Sequence, residues 1–498
     1  MELPETGNGP ELDLDILPVR TTGTGATKYL DSPGNLRPFV CWDHALLNDP
    51  RVTEQQKLRY VVDWAQILLK TRSDLDHSRA SSSSPASSEH YPSGKLNVTF
   101  PPVPGSVAVF SQWLRLPDEV WLSIMSLLPH THLSSLAQVC RRTHRLAGDH
   151  TLWTAVEMRN GALTERWLTW AGGHRPRSVS LYRCSSVSIA PGGLETFFSR
   201  CAASLQELNV TSCIGPGLHG NLLLRLIGQW CKRLTNLNVS WSGATDAGLT
   251  PLIQNATGLA LEAVVLNGCQ VTDEALLNLI RTHRKSLSTL EVFGCHLLSS
   301  SCLEEVYQLC PGLRHLNIGQ VPKVNARCLT RMTSQLRSLL SLNLTGLQAV
   351  SDALLDRFLQ QCPGLQSLTL SSCPGVSDRT LHSISHRTPH IRSLDVSGCK
   401  AVSDAGVRSV ALGCRRLQLL DLSSTSAGNR GLAVLADECN EDLQTVKLSF
   451  CHVSSENVLR LCRRCKRLKV LHLYGCAQIP SEREIREVHG SVKVEPLP

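Results

Sequence analysis

Leu365-Gln366-Ser367-Leu368-Thr369-Leu370-Ser371-Ser372-Cys373 decides how this chain folds. Leu368 and Leu370 are separated by one polar residue, the spacing that sends both side chains to the same face of a short strand, with Leu365 just before it. A cysteine three residues after the last leucine then turns the chain. Aligned on L-x-x-L-x-L-x-x-C, the final position recurs at 184, 213, 242, 269, 295, 321, 347, 373, 399, 425, 451 and 476. Cysteine fills eight of these twelve positions, so one structural unit is being repeated about every 26 residues.

Between strands, the pairs Thr272-Asp273, Ser351-Asp352, Ser377-Asp378 and Ser403-Asp404 precede runs of Leu and Val at helical spacing and read as helix N-caps. A second set, Cys231, Cys310, Cys362, Cys414 and Cys465, stands three residues ahead of the next strand's first leucine, where a small buried side chain fits the helix-to-strand return. One such unit cannot cover its apolar face. Neighbours must stack, each fully buried leucine contributing roughly 1.5–3 kcal/mol. The expected fold class is α/β, a leucine-rich-repeat horseshoe with about twelve parallel strands inside and helices outside, over residues 156–498. The stretch resembles the cysteine-containing leucine-rich repeats, which have that architecture.

Outside the repeats the chain changes character. Residues 1–37 are rich in Gly, Pro, Thr and acidic groups and read as a disordered tail. Residues 38–72 are a helical segment, with a Thr53 cap and apolar positions Leu58, Val61, Val62, Ala65, Leu68 and Leu69. A Ser/Pro-rich linker follows over 73–110. Of the 498 residues 42% are hydrophobic and 18% charged, and no apolar run approaches the roughly 18 residues of a membrane helix. The formal net charge is +8; the first hundred residues hold 10 basic and 13 acidic groups, the remainder 40 against 29. That balance permits acidic partners without requiring nucleic acid.

Twenty cysteines would suit a disulfide-rich secreted protein, but the acidic start Met1-Glu2-Leu3-Pro4-Glu5 is followed by no signal-like apolar region. The thiols are therefore expected to be reduced, and the sequons at Asn97, Asn209, Asn238, Asn255 and Asn343 to be silent. Cys462-Arg463-Arg464-Cys465 has no second pair at zinc-ribbon spacing, no H-x-x-x-H pair stands out among the eighteen histidines, and phosphate-binding glycine loops are absent. No metal, cofactor or catalytic set is expected. Val492-Lys493-Val494-Glu495 matches a short sumoylation pattern that occurs often by chance.

Just ahead of the repeats, WLRLPDEVWLSIMSLLPHTHLSSLAQVCRRTHRLAGDHTLW spans residues 113–153. Leu116-Pro117-Asp118-Glu119 begins a helix with Val120, Ile124, Leu127 and Leu128, which Pro129 breaks; a second helix carries Leu133, Leu136, Val139 and Cys140, and Leu152 and Trp153 follow. Forty residues rarely form a strong core unaided, so an exposed apolar face is expected. The order L-P-x-E, helix, break, V-C-R-R, L-A-x-D, L-W resembles an F-box, here residues 111–155. The resemblance implies docking on a Skp-type adaptor, and through it a cullin–RING ubiquitin ligase, by Leu116, Pro117, Val120, Ile124, Leu133, Leu136, Val139, Cys140, Leu152 and Trp153. Trp121 and Thr143 depart from the commoner Leu and Trp, which points to a weaker hold.

An F-box followed by leucine-rich repeats implies a non-catalytic substrate-recognition subunit of an SCF-type ligase, cytoplasmic or nuclear, with a protein substrate and neither nucleic acid nor membrane as partner. The alternative is a scaffold or inhibitor that no longer recruits a ligase. Strand alternation puts small hydroxylic residues at the centre of the inner face, and Trp241 and Phe293 toward one end with Phe450 and Tyr474 toward the other. These four aromatics are the expected substrate anchors.

Overall fold

The computed structural model describes residues 28–30 and 36–38 and, apart from 190, 191, 216 and 440, residues 116–495. The helical segment and the Ser/Pro-rich linker expected over 38–72 and 73–110 lie outside the described residues, save for residue 38. Within the stretch read as a tail, Lys28–Leu30 pairs antiparallel with Leu36–Pro38. The chain divides into two compact units at Thr154/Ala155.

Among the described residues the first unit contains three short α-helices, α1 (Asp118–Met125), α2 (His130–Leu136) and α3 (Arg141–Ala147), followed by a 3-10 turn over His150–Trp153. The expected second helix ends early, at Leu136, and a third follows that was not expected. Val139 and Cys140 do not lie on α2; the chain leaves the helix after Leu136, and Cys140 adopts extended backbone to become the N-cap of α3. Its sulfur accepts from the Thr143 amide while Thr143 Oγ1 accepts from the Cys140 amide, a capping box built on a thiol. Pro129, read as a breaker, sits at the N-cap position of α2, where a residue without an N–H costs nothing.

The second unit is a parallel sheet of fourteen strands in chain order, from Ala155–Arg159 through Ser178–Tyr182 to Val470–His472 and Lys493–Glu495. Two strands were missed because neither ends on the cysteine pattern: Ala155–Arg159 precedes the first repeat and Lys493–Glu495 follows the last. A second parallel pair joins Ala162–Thr164 to Ser185–Ser188. Register is kept by equivalent leucines, Leu342 facing Leu368 and Leu368 facing Leu394 on adjacent strands. Between strands the chain returns through helices such as Asp352–Gln361 and Asp404–Gly413, whose apolar stripes close one continuous core with the strand leucines.

The cysteines hold neighbouring repeats together. Cys373 Sγ donates to the Leu344 carbonyl at 3.2 Å, Cys399 to Leu370 at 3.2 Å and Cys451 to Leu422 at 3.1 Å, in each case the last strand leucine of the preceding repeat. All nineteen described cysteines are free, seventeen of them buried. Burial pushes the Cys399 thiol up to about 11 and Cys231 to about 12. Among the described residues no helix is long and apolar enough to cross a membrane. The sumoylation pattern falls on the edge strand with its apolar Val492 and Val494 packed inward, so an enzyme gripping Val492 would have to peel that strand away.

Candidate functional site

In the helical unit Asp118 ties α1 to α3. Arg142 Nε donates to its Oδ1 at 3.0 Å, Arg145 reaches its Oδ2 at 2.5 Å, and Arg142 Nη2 also donates to the Leu116 carbonyl at 2.5 Å. The bonds from Arg145 and Arg142 to its oxygens hold the Asp118 carboxyl below the usual range. The L-P-x-E start and the R-R pair, 24 residues apart in sequence, thus form one structure. Trp153 Nε1 donates to the Ala147 carbonyl at 2.7 Å and its ring stacks on His130 at 4.8 Å.

Of the residues expected to bind an adaptor, Ile124, Leu133, Leu152 and Trp153 are buried in this chain. They build its own core and leave little surface for a partner. Leu116, Leu136, Val139 and Cys140 are half-buried, and Pro117 is exposed. Val120 is 41% exposed and Leu127 48%. Leu127 was read as helical packing, but α1 ends at Met125 and the turn before Pro129 carries it outward. The two departures are absorbed internally: Trp121 is buried, and Thr143 is committed to the cap.

On the strand face, every one of the twelve repeats needs positive φ at the residue just before the cysteine position. The turn there is closed by a bond such as Cys269 N–H to Leu266 O, 3.0 Å, and its third residue takes left-handed backbone as in a type II turn. Glycine serves in five repeats, but Trp241 (φ +56°) and Phe450 (φ +59°) occupy it in two others. Both rings lie over the next repeat. A Cβ at Gly268 would sit 2.1 Å from the Trp241 ring, and one at Gly475 would sit 2.4 Å from Phe450. Trp241, Phe450 and Tyr474 are 50%, 56% and 57% exposed, whereas Phe293 is half-buried. Phe450 and Tyr474 meet edge to face at 5.3 Å; Trp241 and Phe293 lie two repeats apart.

The polar row four residues before the cysteine position is partly structural. Asn238, Asn343, Asp395 and Asp421 each accept from the amide two residues on. Burial pushes the Asp395 carboxyl up despite its bonds from Ser397. On the last repeats Arg460 pairs with Asp437 at 2.5 Å and Arg467 with Asp442 at 2.6 Å. Against the expectation that no H-x-x-x-H pair stands out, His382 and His386 stand four apart on the helix Asp378–Arg387, exposed, with ring centroids 4.4 Å apart. No group of three metal-capable side chains occurs among the described residues.

Comparison with known proteins agrees with this layout. An F-box-like family model matches residues 113–159, and a leucine-rich-repeat model matches residues 388–411. Mouse lysine-specific demethylase 2B is 28% identical over 199 residues, which are 37% of this chain and only 14% of that protein. Among solved structures, one from the yeast Rad7–Elc1 complex covers 78% of this chain and 95% of its own at 14% identity, with a TM-score of 0.47. An internalin from Listeria monocytogenes covers 62% and 84% at 18% identity and a TM-score of 0.37. The chain carries an F-box-like domain followed by leucine-rich repeats.

Proposed function

We propose that this protein is the substrate-recognition subunit of an SCF-type cullin–RING ubiquitin ligase, acting in the cytoplasm, the nucleus or both. Its F-box-like helices dock a Skp-type adaptor and its repeats hold a target protein for ubiquitination and degradation. The observation that carries this reading is the pairing of the F-box-like match with exposed apolar side chains: Val120, Leu127 and Pro117 face solvent, whereas the other large apolar side chains described in that unit are mostly turned inward. Such a protein raises effective concentration and needs no catalytic group of its own.

The test replaces Val120 and Leu127 together by Asp. Copurification with a Skp-type adaptor is expected to fall at least about tenfold, since a charge buried in an apolar interface costs several kcal/mol, while the far-ultraviolet circular dichroism of the repeats is unchanged. Undiminished adaptor capture would reject the reading.

A further inference from the structure

The chain beyond residue 100 is strongly basic, with 40 Lys+Arg against 29 Asp+Glu. The outward positions of the twelve repeat strands, six, four and two residues before each cysteine position, reverse that sign. They carry Glu207, Glu291, Asp395 and Asp421 against Lys447 alone. These three rows of the repeat strands therefore do not share the chain's basic excess.

Two of these carboxylates are neighbours. Asp395 and Asp421 stand at the same register on adjacent strands. Asp421 is nearly buried and paired with Lys447 at 3.3 Å. Asp395 has no ion-pair partner within 4 Å among the described residues; its Oδ1 takes the Ser397 amide. Two carboxylates side by side with a single cation, Lys447 on the strand beyond Asp421, favour a second cation from outside.

Beside them, one and two repeats further on, stand Phe450 and Tyr474. Left-handed backbone at a bulky residue costs of order 1–3 kcal/mol, and more than half of the Phe450 surface remains in water, so its own fold recovers little of that cost. An exposed aromatic held in strained backbone marks a surface kept for contact. Between carboxylates and rings the floor is small: Ser397, Ser423 and Ser449 leave room for a peptide backbone.

We propose that the strand face of repeats nine to twelve holds an extended segment of the partner protein, with a Lys or Arg seated against Asp395 and Asp421 and an apolar side chain lying on the Phe450–Tyr474 pair. The centres of the two pairs are two strands apart, so at about 4.8 Å between strands and ~3.3 Å per extended residue the two side chains stand roughly three residues apart. The inference rests on the reading of the repeats as the partner-binding half, and it adds the chemistry of what they bind.

The probe is a phage-displayed library of random 12-residue peptides panned against the full chain. Enriched peptides are expected to carry a basic and an apolar residue at that spacing. Their synthetic forms should lose about tenfold or more in affinity toward Asp395→Asn/Asp421→Asn and toward Tyr474→Ala, should bind Glu207→Gln, a strand-face carboxylate in the second repeat, as they bind wild type, and should weaken as salt is raised. Thermal scans of each variant show whether it is folded, and the salt dependence on the wild-type chain needs no variant. Failure to enrich, enrichment of acidic peptides, or affinities indifferent to both carboxylates and to Tyr474 would overturn the proposal. Adaptor copurification is measured on the same preparations: its loss alone would strike the ligase reading and leave the peptide site standing.

Discussion

Phe450 shows how a single residue can be placed against its own conformational preference. The turn before each cysteine demands positive φ, glycine meets it in five repeats, and a phenylalanine there is strained. Replacing Phe450 by Gly should therefore leave the protein more stable than replacing it by Ala, by about 1 kcal/mol, although both remove the same ring. Paired thermal-unfolding curves of the two variants would show it, and equal midpoints would mean the turn relaxes around any residue. The cysteines make a second residue-scale case. Cys399, its thiol pushed to about 11 by burial, and fully buried Cys373 should resist iodoacetamide at pH 8, whereas half-exposed Cys140 and Cys476 are labelled. Peptide mapping after a short pulse, with and without denaturant, separates the two groups.

At the level of the element, the Ser/Thr-Asp pairs do more than their spacing announces. The serine caps its own helix, but the aspartate reaches the next repeat. Asp352 accepts from the Ser377 amide at 3.0 Å, the Ser377 hydroxyl at 2.6 Å and the Thr380 hydroxyl at 2.5 Å. Asp246 and Thr272, Asp273 and Ser299, and Asp378 and Ser403 repeat the contact, which makes a ladder across the helix N-termini. Burial raises the Asp352 carboxyl, but the bonds from Ser377 and Thr380 outweigh it and hold it below its usual value. Its stabilisation is thus present above an unfolded value near ~3.9 and is lost as pH falls through the lower folded value. Asp352→Ala orphans the Thr380 hydroxyl, which is fully buried, and should destabilise by about 1–3 kcal/mol. Urea titration followed by circular dichroism checks this, and a midpoint equal to wild type would make the ladder decorative. Period and caps were legible in sequence because they are local; the aspartate's second partner lies about 25 residues away and leaves no local mark.

Across the whole molecule, what the sequence by itself determined is the repeat, its register, the class of fold and the F-box-like stretch, because leucine alternation, cysteine spacing and capping pairs act within a few residues of one another. Fourteen strands in place of about twelve, and three F-box helices in place of two, needed the structure, since the extra strands pair with neighbours without carrying the cysteine signature. The site was legible only in part. Which apolar side chains of the F-box-like unit face outward could not be read from hydrophobicity, because the same leucine serves a core or an interface; tertiary packing consumed Ile124, Leu133, Leu152 and Trp153 and left Val120 and Leu127. The repeat register already set Phe450 and Tyr474 toward one end of the inner face, whereas the structure showed their rings in contact, Asp395 and Asp421 in register side by side, and two aromatics in left-handed turns. The physical reason is range: stacking brings together residues one repeat apart, and both the burial of a side chain and the sign of a face are sums over neighbours that no short window of sequence contains.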